Sequence, residues 1–351
     1  MSQNRWKRRP EGSNWGDFGA DDQLGRLNLI TPEKVRQGLA EAVEGVTFCL
    51  SLPLDYPGGS ELNPRRKPPI LRPTLREDRA NFNAVLSGDM AGATDVICDD
   101  LAVLHLQYST QWDSLCHVGS QFDADGDGLA ERVYYNGFRA GVEITGPERA
   151  ADAGLPSGAT DRSTSHAGAL GIETMAAHCV QGRAAMIDLR THLGDTRTIV
   201  GYDTLMRVIE QDGVEIESGD MVCLHTGFAD TVLDMGRQPT GEQLHHSASV
   251  LDGRDAALLN WITDSGLAAL IADNYAVEAV PAQPGGSAHC STLPLHEHCL
   301  FKNGIPLGEL WHLTPLAEWL RRRGRYRFLL TAPPLRLPGA VGSPVTPVGT
   351  V

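Results

Sequence analysis

Residues that can bind a metal ion or transfer a proton recur at every second position between residues 101 and 119. They are His105, Gln107, Ser109, Gln111 and Asp113. In an extended chain, side chains two residues apart point to the same face, so we expect these five to share one face of a strand. His117 follows Asp113 by four residues. A polar face that ends in a carboxylate and an imidazole is typical of a buried active site, but an ordinary water-exposed strand face has the same pattern.

The same stretch agrees in part with a known signature, H-x-G-T-H-x-D-x-P-x-H. Thr110, Asp113 and His117 match it, whereas Gln107 and Gln111 stand where it carries metal-binding histidines. The stretch therefore resembles the cyclase family, the metal-dependent hydrolases that include kynurenine formamidase and isatin hydrolase. The two glutamines indicate a subgroup in which the usual metal site is altered.

The resemblance extends along most of the chain. Segments similar to the family are GADDQLGRLNLITPEKV at 19–35, VYYNG at 133–137 and ADNYAVEAVP at 272–281. Near the C-terminus the family has a histidine that opens a helix and a glutamate beyond a glycine-containing turn. These correspond here to His296 and Glu309, with His298 as the competing choice for the histidine.

The chemistry that the resemblance implies is attack of water on an amide or ester carbonyl. A divalent metal polarises the carbonyl and lowers the pKa of a bound water, to about 7 for zinc, while a histidine carries the proton. The implied metal ligands are Asp113, His296, Glu309, Gln107 and Gln111. The implied catalytic residues are His117, Asp113 and Glu309, and the implied substrate contacts are Trp112, Thr226 and Gly227.

Glutamine in place of histidine changes the expected metal chemistry. An amide oxygen is a neutral, hard and weak ligand, which suits manganese, magnesium or calcium better than zinc. Three outcomes stay open: one metal held partly by amide oxygens, replacement of a lost ligand by His105, or no metal and acid–base work by a histidine–carboxylate pair. We expect a single divalent ion, Mn²⁺ or Zn²⁺. Gln107 and Gln111 could instead bind substrate or water.

The elements that must position these residues form an α/β fold. Helix-like and strand-like segments alternate from about residue 160 onwards, which indicates α/β units. The resemblance implies a swivelling β/β/α domain with a mixed sheet, assembled as a homodimer or homotetramer. We expect residues 1–45 to form an N-terminal arm and helix, and residues 46–351 to form one catalytic domain. Thr31 and Pro32 mark the start of that helix.

Composition narrows the class of protein. The 351 residues carry a formal net charge of −14, which argues against nucleic acid or an anionic membrane as a partner. No apolar run approaches the roughly 20 residues of a membrane span. The seven cysteines form no C-x-x-C pair, which is typical of reduced thiols in a cytoplasmic protein. Cys116 lies inside the candidate site, and we interpret it as a small packing residue.

Two proline- or glycine-rich segments, residues 53–99 and 280–293, have no motif of their own. Residues 53–99 form either a solvated surface loop or a lid or subunit-contact arm, and we favour the lid or contact arm. Residues 280–293 could cover the active site. Between them, the acidic turn Asp123–Gly128 agrees with a calcium loop only in part, because Tyr134 stands at the twelfth position in place of glutamate.

The function expected from the sequence is opening of a small cyclic amide, imide or lactone, or cleavage of an N-formyl amide. One rival is a ring-closing or dehydrating step in polyketide-type metabolism. Another is a metal-free, non-catalytic binding protein on the same fold, which the two glutamines leave open and which the joint presence of Asp113, His117 and Glu309 argues against. A serine hydrolase is disfavoured, because the chain contains no G-x-S-x-G motif.

Overall fold

A nine-stranded mixed sheet forms the centre of the protein, as seen in a computed structural model that describes residues 5–154, 163–286 and 289–351. Within these residues its strands in chain order are β1 (Thr47–Cys49), β2 (Gln111–Asp113), β3 (Gln181–Asp188), β4 (Met221–His225), β5 (Ala269–Ala272), β6 (Leu307–Glu309), β7 (Arg327–Thr331), β8 (Gly342–Pro344) and β9 (Val348–Thr350). Their order across the sheet is β1-β9-β7-β3-β4-β5-β6-β2-β8.

The middle of the sheet is parallel and its two sides are antiparallel. Strands β3, β4, β5 and β6 run parallel to one another, whereas β7 pairs with β3 and β2 pairs with β6 in the antiparallel sense. Strands β4 and β5 are buried along their whole length. Parallel strands that are covered on both faces have nearly continuous apolar sequences, as MVCL and ALIA do here.

Helices and short ladders surround this sheet in the described part of the chain. The α-helices are α1 (Pro32–Glu41), α2 (Ile172–His178), α3 (Leu189–Leu193), α4 (Tyr202–Asp212), α5 (Phe228–Asp234), α6 (Gly241–His246), α7 (Ala256–Asp264), α8 (Pro294–His296) and α9 (Thr314–Arg322). Two-stranded ladders join Ile70–Pro73 to Asp100–Val103, Leu75–Arg76 to Arg79–Ala80, Ala84–Val85 to Val96–Ile97, Ser120–Phe122 to Glu131–Val133, Ile144–Thr145 to His166–Ala167, and Thr198–Val200 to Ser249–Leu251.

The predicted first helix is present but shorter than expected. The Thr31 side chain accepts a hydrogen bond from the backbone N–H of Lys34, so it caps α1 as its position before Pro32 predicts. The helix ends at Glu41, ahead of the turn at Gly45. Upstream of it, Trp15 is buried and donates to the carbonyl of Phe301. The N-terminal segment is thus packed into the body of the protein. Residues 1–4 of the predicted arm lie outside the described residues.

The sheet separates two apolar clusters. Ile187, Leu224 and Leu270 pack on one face, and we call this face A. Met186, Cys223 and Ile271 pack on the other, face B. Because successive side chains of a strand point to opposite faces, each polar residue at a strand end is assigned to one face by its position.

The prediction of one continuous polar strand face through residues 101–113 is wrong. The chain is extended only over Asp100–Val103 and Gln111–Asp113. Between them it turns, and the N–H of Tyr108 donates to the carbonyl of His105. The Thr110 hydroxyl accepts from the N–H of Leu52 and donates to the carbonyl of Leu310. These contacts fix the bend, so the alternation holds only for Gln111 and Asp113.

A buried ion cluster attaches α1 to the sheet. It lies at the amino ends of the parallel strands β3 and β4. Asp220 is fully buried and accepts from Lys34 at 3.1 Å and from Arg183 at 2.8 and 3.0 Å. Replacing Asp220 with alanine leaves Lys34 and Arg183 paired only with the half-exposed Glu217 among the described residues, so we expect the free energy of unfolding to fall by about 3 kcal/mol. Urea denaturation measures this loss.

The matched control is Glu215→Ala. Glu215 is exposed and pairs only at 3.6 Å with Arg327, so its loss should change the free energy of unfolding by less than about 0.5 kcal/mol. Equal effects of the two variants would contradict a special role for the buried cluster.

Candidate metal centre and active site

Three side chains with metal-ligand chemistry converge on face A. Strands β2 and β6 are neighbours, and their register sets Gln111 opposite Glu309 and Asp113 opposite Leu307. His296 comes from the end of α8, which runs directly into a π-helical turn, Glu297–Lys302. Its Nε2 lies 3.3 Å from Glu309 Oε1 and 3.9 Å from Asp113 Oδ2. One potential ligand atom from each of the three residues lies within 4.8 Å of the others.

Gln111 lies between the two carboxylates. Its Nε2 donates to Glu309 at 3.1 Å and to Asp113 at 3.3 Å. Its own Oε1 and the Oδ2 of Asp113 are buried without a hydrogen-bond partner in the described residues. Buried oxygens without partners are costly, and a cation would satisfy them. The donor set of two carboxylates, one imidazole and an amide oxygen therefore fits a divalent metal ion.

A buried glutamate orients His296. The Nδ1 of His296 lies 2.8 Å from Glu278 Oε1, and the backbone N–H groups of Leu295 and His296 donate to the same carboxylate. This leaves Nε2 facing Asp113 and Glu309, an arrangement common for histidines that bind metal. Just before Glu278, Ala276 and Val277 have φ angles of 68° and 56°. A β-branched residue rarely adopts this conformation, so the backbone is strained where it presents the carboxylate.

Burial and neighbouring charges shift the pKa values of Asp113, Glu309 and His296 in different directions. Burial raises the pKa of Asp113, and the charge of Glu309 adds to this rise. Burial also acts to raise the pKa of Glu309, but the hydrogen bond and charge of His296 outweigh it and hold that pKa below its usual value. Burial acts to lower the pKa of His296, yet its bonds to Glu278 and Glu309 raise it to about 10. The site therefore attracts positive charge.

His117 borders the cluster on its solvent side. Its Nε2 lies 3.8 Å from Asp113 Oδ1, and its side chain is 22% exposed whereas that of Asp113 is 1% exposed. Arg66 approaches the same region from the proline-rich segment and donates to the carbonyl of Gln107 at 2.6 Å. Its charge acts to lower the pKa values of both Asp113 and Glu309. The imidazole of His117 and the guanidinium of Arg66 therefore lie near the carboxylates of Asp113 and Glu309.

The sequence of the chain matches the model of the Cyclase family over residues 71–279, which is more than half of its 351 residues. The chain belongs to the cyclase family. The family expected from the signature is thus confirmed. No curated protein has significant sequence similarity to the chain.

Solved structures share its fold. A crystal structure described as a novel cyclase has a TM-score of 0.70 and 29% sequence identity, over 97% of each chain. Isatin hydrolase A from Labrenzia aggregata, bound to benzyl benzoate, has a TM-score of 0.53 and 12% identity, over 91% of this chain and 98% of its own. An isatin hydrolase bound to the product analogue thioisatinate has a TM-score of 0.54 and 13% identity, over 92% of this chain and 99% of its own. The predicted α/β fold with a mixed sheet is confirmed, and at 12–13% identity the likeness shows the fold alone.

Two histidines considered as alternative ligands lie apart from the cluster. His105 is outside it, because it lies in the turn ahead of β2. Gln107 lies in the same turn, and its side-chain nitrogen lies against Gly342, which pairs with Asp113, so its role as a metal ligand stays a prediction. His298, the competing choice, packs against α7, where its Nε2 lies 2.9 Å from the hydroxyl of Thr263. Burial lowers the pKa of His298 to about 4.

The position of the Trp112 side chain conflicts with its predicted role as a substrate contact. It lies between Gln111 and Asp113 on β2, so its indole points to face B, away from the site. There it is fully buried, packs edge-on against Trp311 and donates to the carbonyl of Ala332. Cys116 is also buried, and burial raises the pKa of its thiol to about 11, which agrees with a packing residue.

Thr226 and Gly227 hold a carboxylate of the chain itself. The N–H and hydroxyl of Thr226 donate to Asp273 at 2.8 and 2.6 Å, and the N–H of Gly227 donates to it at 2.7 Å. The predicted donor chemistry of this Thr-Gly pair is present, but Asp273 takes up these donors in place of substrate. Gly227 has a φ of 84°, a conformation that favours glycine.

Two arginines offset part of the charge of the acidic turn. The carboxylate of Asp123 accepts from the backbone N–H groups of Gly126, Asp127 and Gly128, and from Arg8. Arg139 pairs with Asp125 and with Glu131. Asp123, Asp125 and Asp127 each offer one carboxylate oxygen within 4.8 Å of the others, so the partial agreement with a calcium loop stays a prediction.

Two functional candidates were not assigned a role by the sequence: Glu278 and Arg66. Glu278 lies in the segment ADNYAVEAVP, which resembles the family but was given no role of its own. Arg66 lies in a proline-rich stretch without a motif. Nothing in local sequence marks either residue, because each reaches the site through long-range packing.

Replacing Glu278 with alanine should weaken metal binding. Without the carboxylate, the His296 ring loses its orienting partner, and we expect the affinity for Mn²⁺ or Zn²⁺ to fall about 10–100-fold. Competition with a chelating dye measures the affinity. The control is Glu297→Ala, since Glu297 is the next residue to His296 but bonds Ser120. An unchanged affinity in the Glu278 variant would refute the orienting role.

On face B, His225 and Asp188 form a second buried pair at the carboxyl ends of β4 and β3. The Nδ1 of His225 lies 2.8 Å from Asp188 Oδ1. Burial acts to lower the pKa of His225, but its bond to Asp188 outweighs burial and raises it. Burial acts to raise the pKa of Asp188, but the bond to His225 outweighs it and lowers the pKa.

These shifts set the pH range in which the pair stabilises the fold. The raised pKa of His225 gives stability that is complete below its unfolded value, about 6.5, and is lost as the pH rises. The lowered pKa of Asp188 gives stability that is present above about 3.9 and is lost as the pH falls. His225→Asn should therefore cost about 3 kcal/mol at pH 5.5, and less above pH 7.

Urea denaturation at several pH values measures this difference from the unmodified protein. The control is His192→Asn, because His192 makes a comparable 2.9 Å contact with Asp212 nearer the surface. We expect that control to cost less than about 1 kcal/mol. A loss that grows as the pH rises would show that the sign for His225 is wrong.

Proposed function

We propose that this protein is a divalent-metal-dependent hydrolase of small molecules that opens a cyclic amide, imide or lactone, or cleaves an N-formyl amide. The observation that carries the proposal is the convergence of Asp113, His296 and Glu309 beside buried oxygens that have no hydrogen-bond partner in the described part of the chain. Membership of the cyclase family and the fold shared with isatin hydrolases support it.

Asp113, His296 and Glu309 would hold the metal, with Gln111 beside them. A bound divalent ion would polarise a substrate carbonyl and lower the pKa of water, which is the chemistry that hydrolysis requires. The ion is Mn²⁺ or Zn²⁺ in this proposal, and the amide of Gln111 favours the harder Mn²⁺. The two carboxylates supply negative charge that burial makes costly without a cation or a proton.

His117 would transfer the proton. It is the ionisable side chain beside Asp113 that is also open to solvent, so substrate and water can reach its ring. Its Nε2 accepts a proton from the attacking water as the new carbon–oxygen bond forms. It then returns the proton to the leaving nitrogen or oxygen as the carbon–nitrogen or ester bond breaks. General acid–base assistance of this kind contributes about 10²–10⁴-fold to the rate.

The decisive experiment measures metal content by elemental mass spectrometry on protein purified without chelator or metal-affinity resin. We expect close to one Mn²⁺ or Zn²⁺ per chain, and its loss in Asp113→Ala. The matched control is Asp125→Ala, which removes a carboxylate from the acidic turn and should keep the metal. Absence of metal from the unmodified protein would overturn the proposal in favour of a metal-free binding protein, and an equal loss in both variants would overturn the assignment of the metal to Asp113.

His117→Ala separates metal binding from catalysis. It should retain the metal and lose about 10²–10⁴-fold in kcat on any lactam, imide, lactone or N-formyl amide that the unmodified protein hydrolyses. Such compounds form the substrate panel. Full turnover in this variant would exclude His117 as the proton carrier.

A further inference from the structure

Arg66 is held at the edge of the carboxylate cluster by the segment that comes before it in the chain. Residues 52–66 run alongside residues 107–110 in the opposite direction, and β2 follows at Gln111. The contacts that join the two segments are Leu52 to Thr110, Pro53 to Ser109, Gly59 to Tyr108 and Arg66 to Gln107. These contacts fix Arg66 beside the turn that leads into the strand of Asp113.

Arg66 uses one nitrogen of its guanidinium within the chain. Its Nη1 donates to the carbonyl of Gln107 at 2.6 Å, and among the described residues the guanidinium makes no further hydrogen bond and no ion pair. A guanidinium carries several N–H donors in a planar fork, so most donors of Arg66 are uncommitted. Arg65 and Lys67, the residues on either side, are exposed, whereas Arg66 is partly buried. Arg66 is therefore the one of these three cations that is turned into the protein.

The charge of Arg66 acts on both carboxylates of the cluster, although it pairs with neither. Burial is the largest influence on the pKa values of Asp113 and Glu309, and the charge of Arg66 acts to lower both. Because the guanidinium makes no ion pair with either residue, a gap separates it from the cluster. On the loop side, the cavity between Arg66, Gly58 and Gly59 measures about 10 Å³, which is room for about one water. Nothing larger fits within the loop, so a substrate group reaches the free donors from the side of the cluster.

Charge balance leaves the Arg66 cation available to a ligand. In the proposed metal-loaded site, the charge of a divalent ion balances the carboxylates of Asp113 and Glu309, and His296 binds as neutral imidazole. Glu278 has donors of its own, which are the ring of His296 and two backbone N–H groups. The charge of Arg66 then has no acidic side chain left to neutralise. A partly buried cation without a counter-ion favours an anionic ligand.

We propose that Arg66 binds a carboxylate of the substrate, so that the protein acts on cyclic amides, imides or lactones, or on N-formyl amides, that carry a carboxylate close to the bond that is cleaved. A guanidinium pairs with a carboxylate through two parallel hydrogen bonds, which fix orientation as well as supply energy. Since Nη1 is bonded to Gln107, Nε and Nη2 of Arg66 remain as such a pair of donors. The inference rests on the proposed function for the bond that is cleaved, and on Arg66 for the charge of the substrate.

Cyclic ketone acids, each compared with its own carboxamide, test the binding. The first pair is 3-oxocyclopentanecarboxylate and its carboxamide, because the ketone offers the ring carbonyl of a cyclic amide without a bond that water cleaves. Titration calorimetry on the Mn²⁺-loaded protein should show the acid binding about 10–100-fold more tightly than the amide. Arg66→Ala should remove this preference, with metal content and circular dichroism unchanged. The matched control Arg65→Ala removes the adjacent exposed cation and should keep the preference.

Two results of the titrations would contradict the role of Arg66. An acid that binds the metal ion directly keeps its preference in Arg66→Ala, and that result would overturn the proposal. Acids that bind no more tightly than their amides, absence of binding included, would overturn it as well.

Kinetics distinguish a substrate contact from a role in the reaction itself. On hydrolysed members of the substrate panel that exist as acid and amide, such as N-formyl-L-phenylalanine and its carboxamide, Arg66→Ala should raise KM of the acid about 10–100-fold and leave its kcat within about threefold. Both constants for the amide should stay unchanged. An equal loss of kcat on both compounds would assign Arg66 to the oxyanion of the reaction and overturn the proposal. A protein without metal or hydrolysis would overturn the proposed function, and the acid-to-amide binding ratio, measured on the protein as purified, then still tests Arg66.

Discussion

Two carboxylates buried on one face of a sheet are the constraint on which the rest of this structure depends. Asp113 and Glu309 come from neighbouring strands, and burial alone opposes ionisation of both. Positive charge must therefore be close to them. The protein supplies it through His296, whose charged form Glu278 stabilises, through Arg66 and His117 at the edge, and through the amide N–H groups of Gln111. The oxygens that these groups leave unsatisfied are the reason that a cation fits.

The sheet keeps this cluster separate from a second one. Asp113 and Glu309 point to face A, whereas Asp188, His225 and Asp273 lie at the ends of β3, β4 and β5 on face B. Both groups are at the carboxyl ends of the parallel strands, where open α/β sheets present polar residues. On face B each member has a partner in the chain, since Thr226 and Gly227 hold Asp273 and Arg321 contacts Asp188. We therefore interpret face B as structural and face A as functional.

Gln111 shows how this member of the cyclase family departs from the family signature. Where that signature has a metal-binding histidine, the amide of Gln111 bridges the two carboxylates. An amide can donate to the carboxylates through nitrogen or turn its oxygen toward a cation, whereas neutral imidazole at this position would offer one ring nitrogen. An amide oxygen is a harder ligand than imidazole, so a metal bound beside Gln111 would be expected to be of the harder kind.

The sequence by itself determined the family, the α/β class and the residue types of the site. Asp113 and His117 were found from their spacing in the signature, and His296 and Glu309 from resemblance near the C-terminus. The buried parallel strands and the Thr31 cap were also readable, because they depend on neighbours in sequence.

Only the tertiary structure decided which of these residues meet. The chain bends between Val103 and Gln111 because Thr110 bonds to Leu52 and Leu310, and this bend removes His105 and Gln107 from the strand. The pairing of β2 with β6 turns Trp112 into the core, although Trp112 lies between two site residues. Glu278 was assigned its role only by the contact with His296, eighteen residues later. Such contacts depend on strand pairing and helix packing between distant segments, and local residue patterns do not encode them.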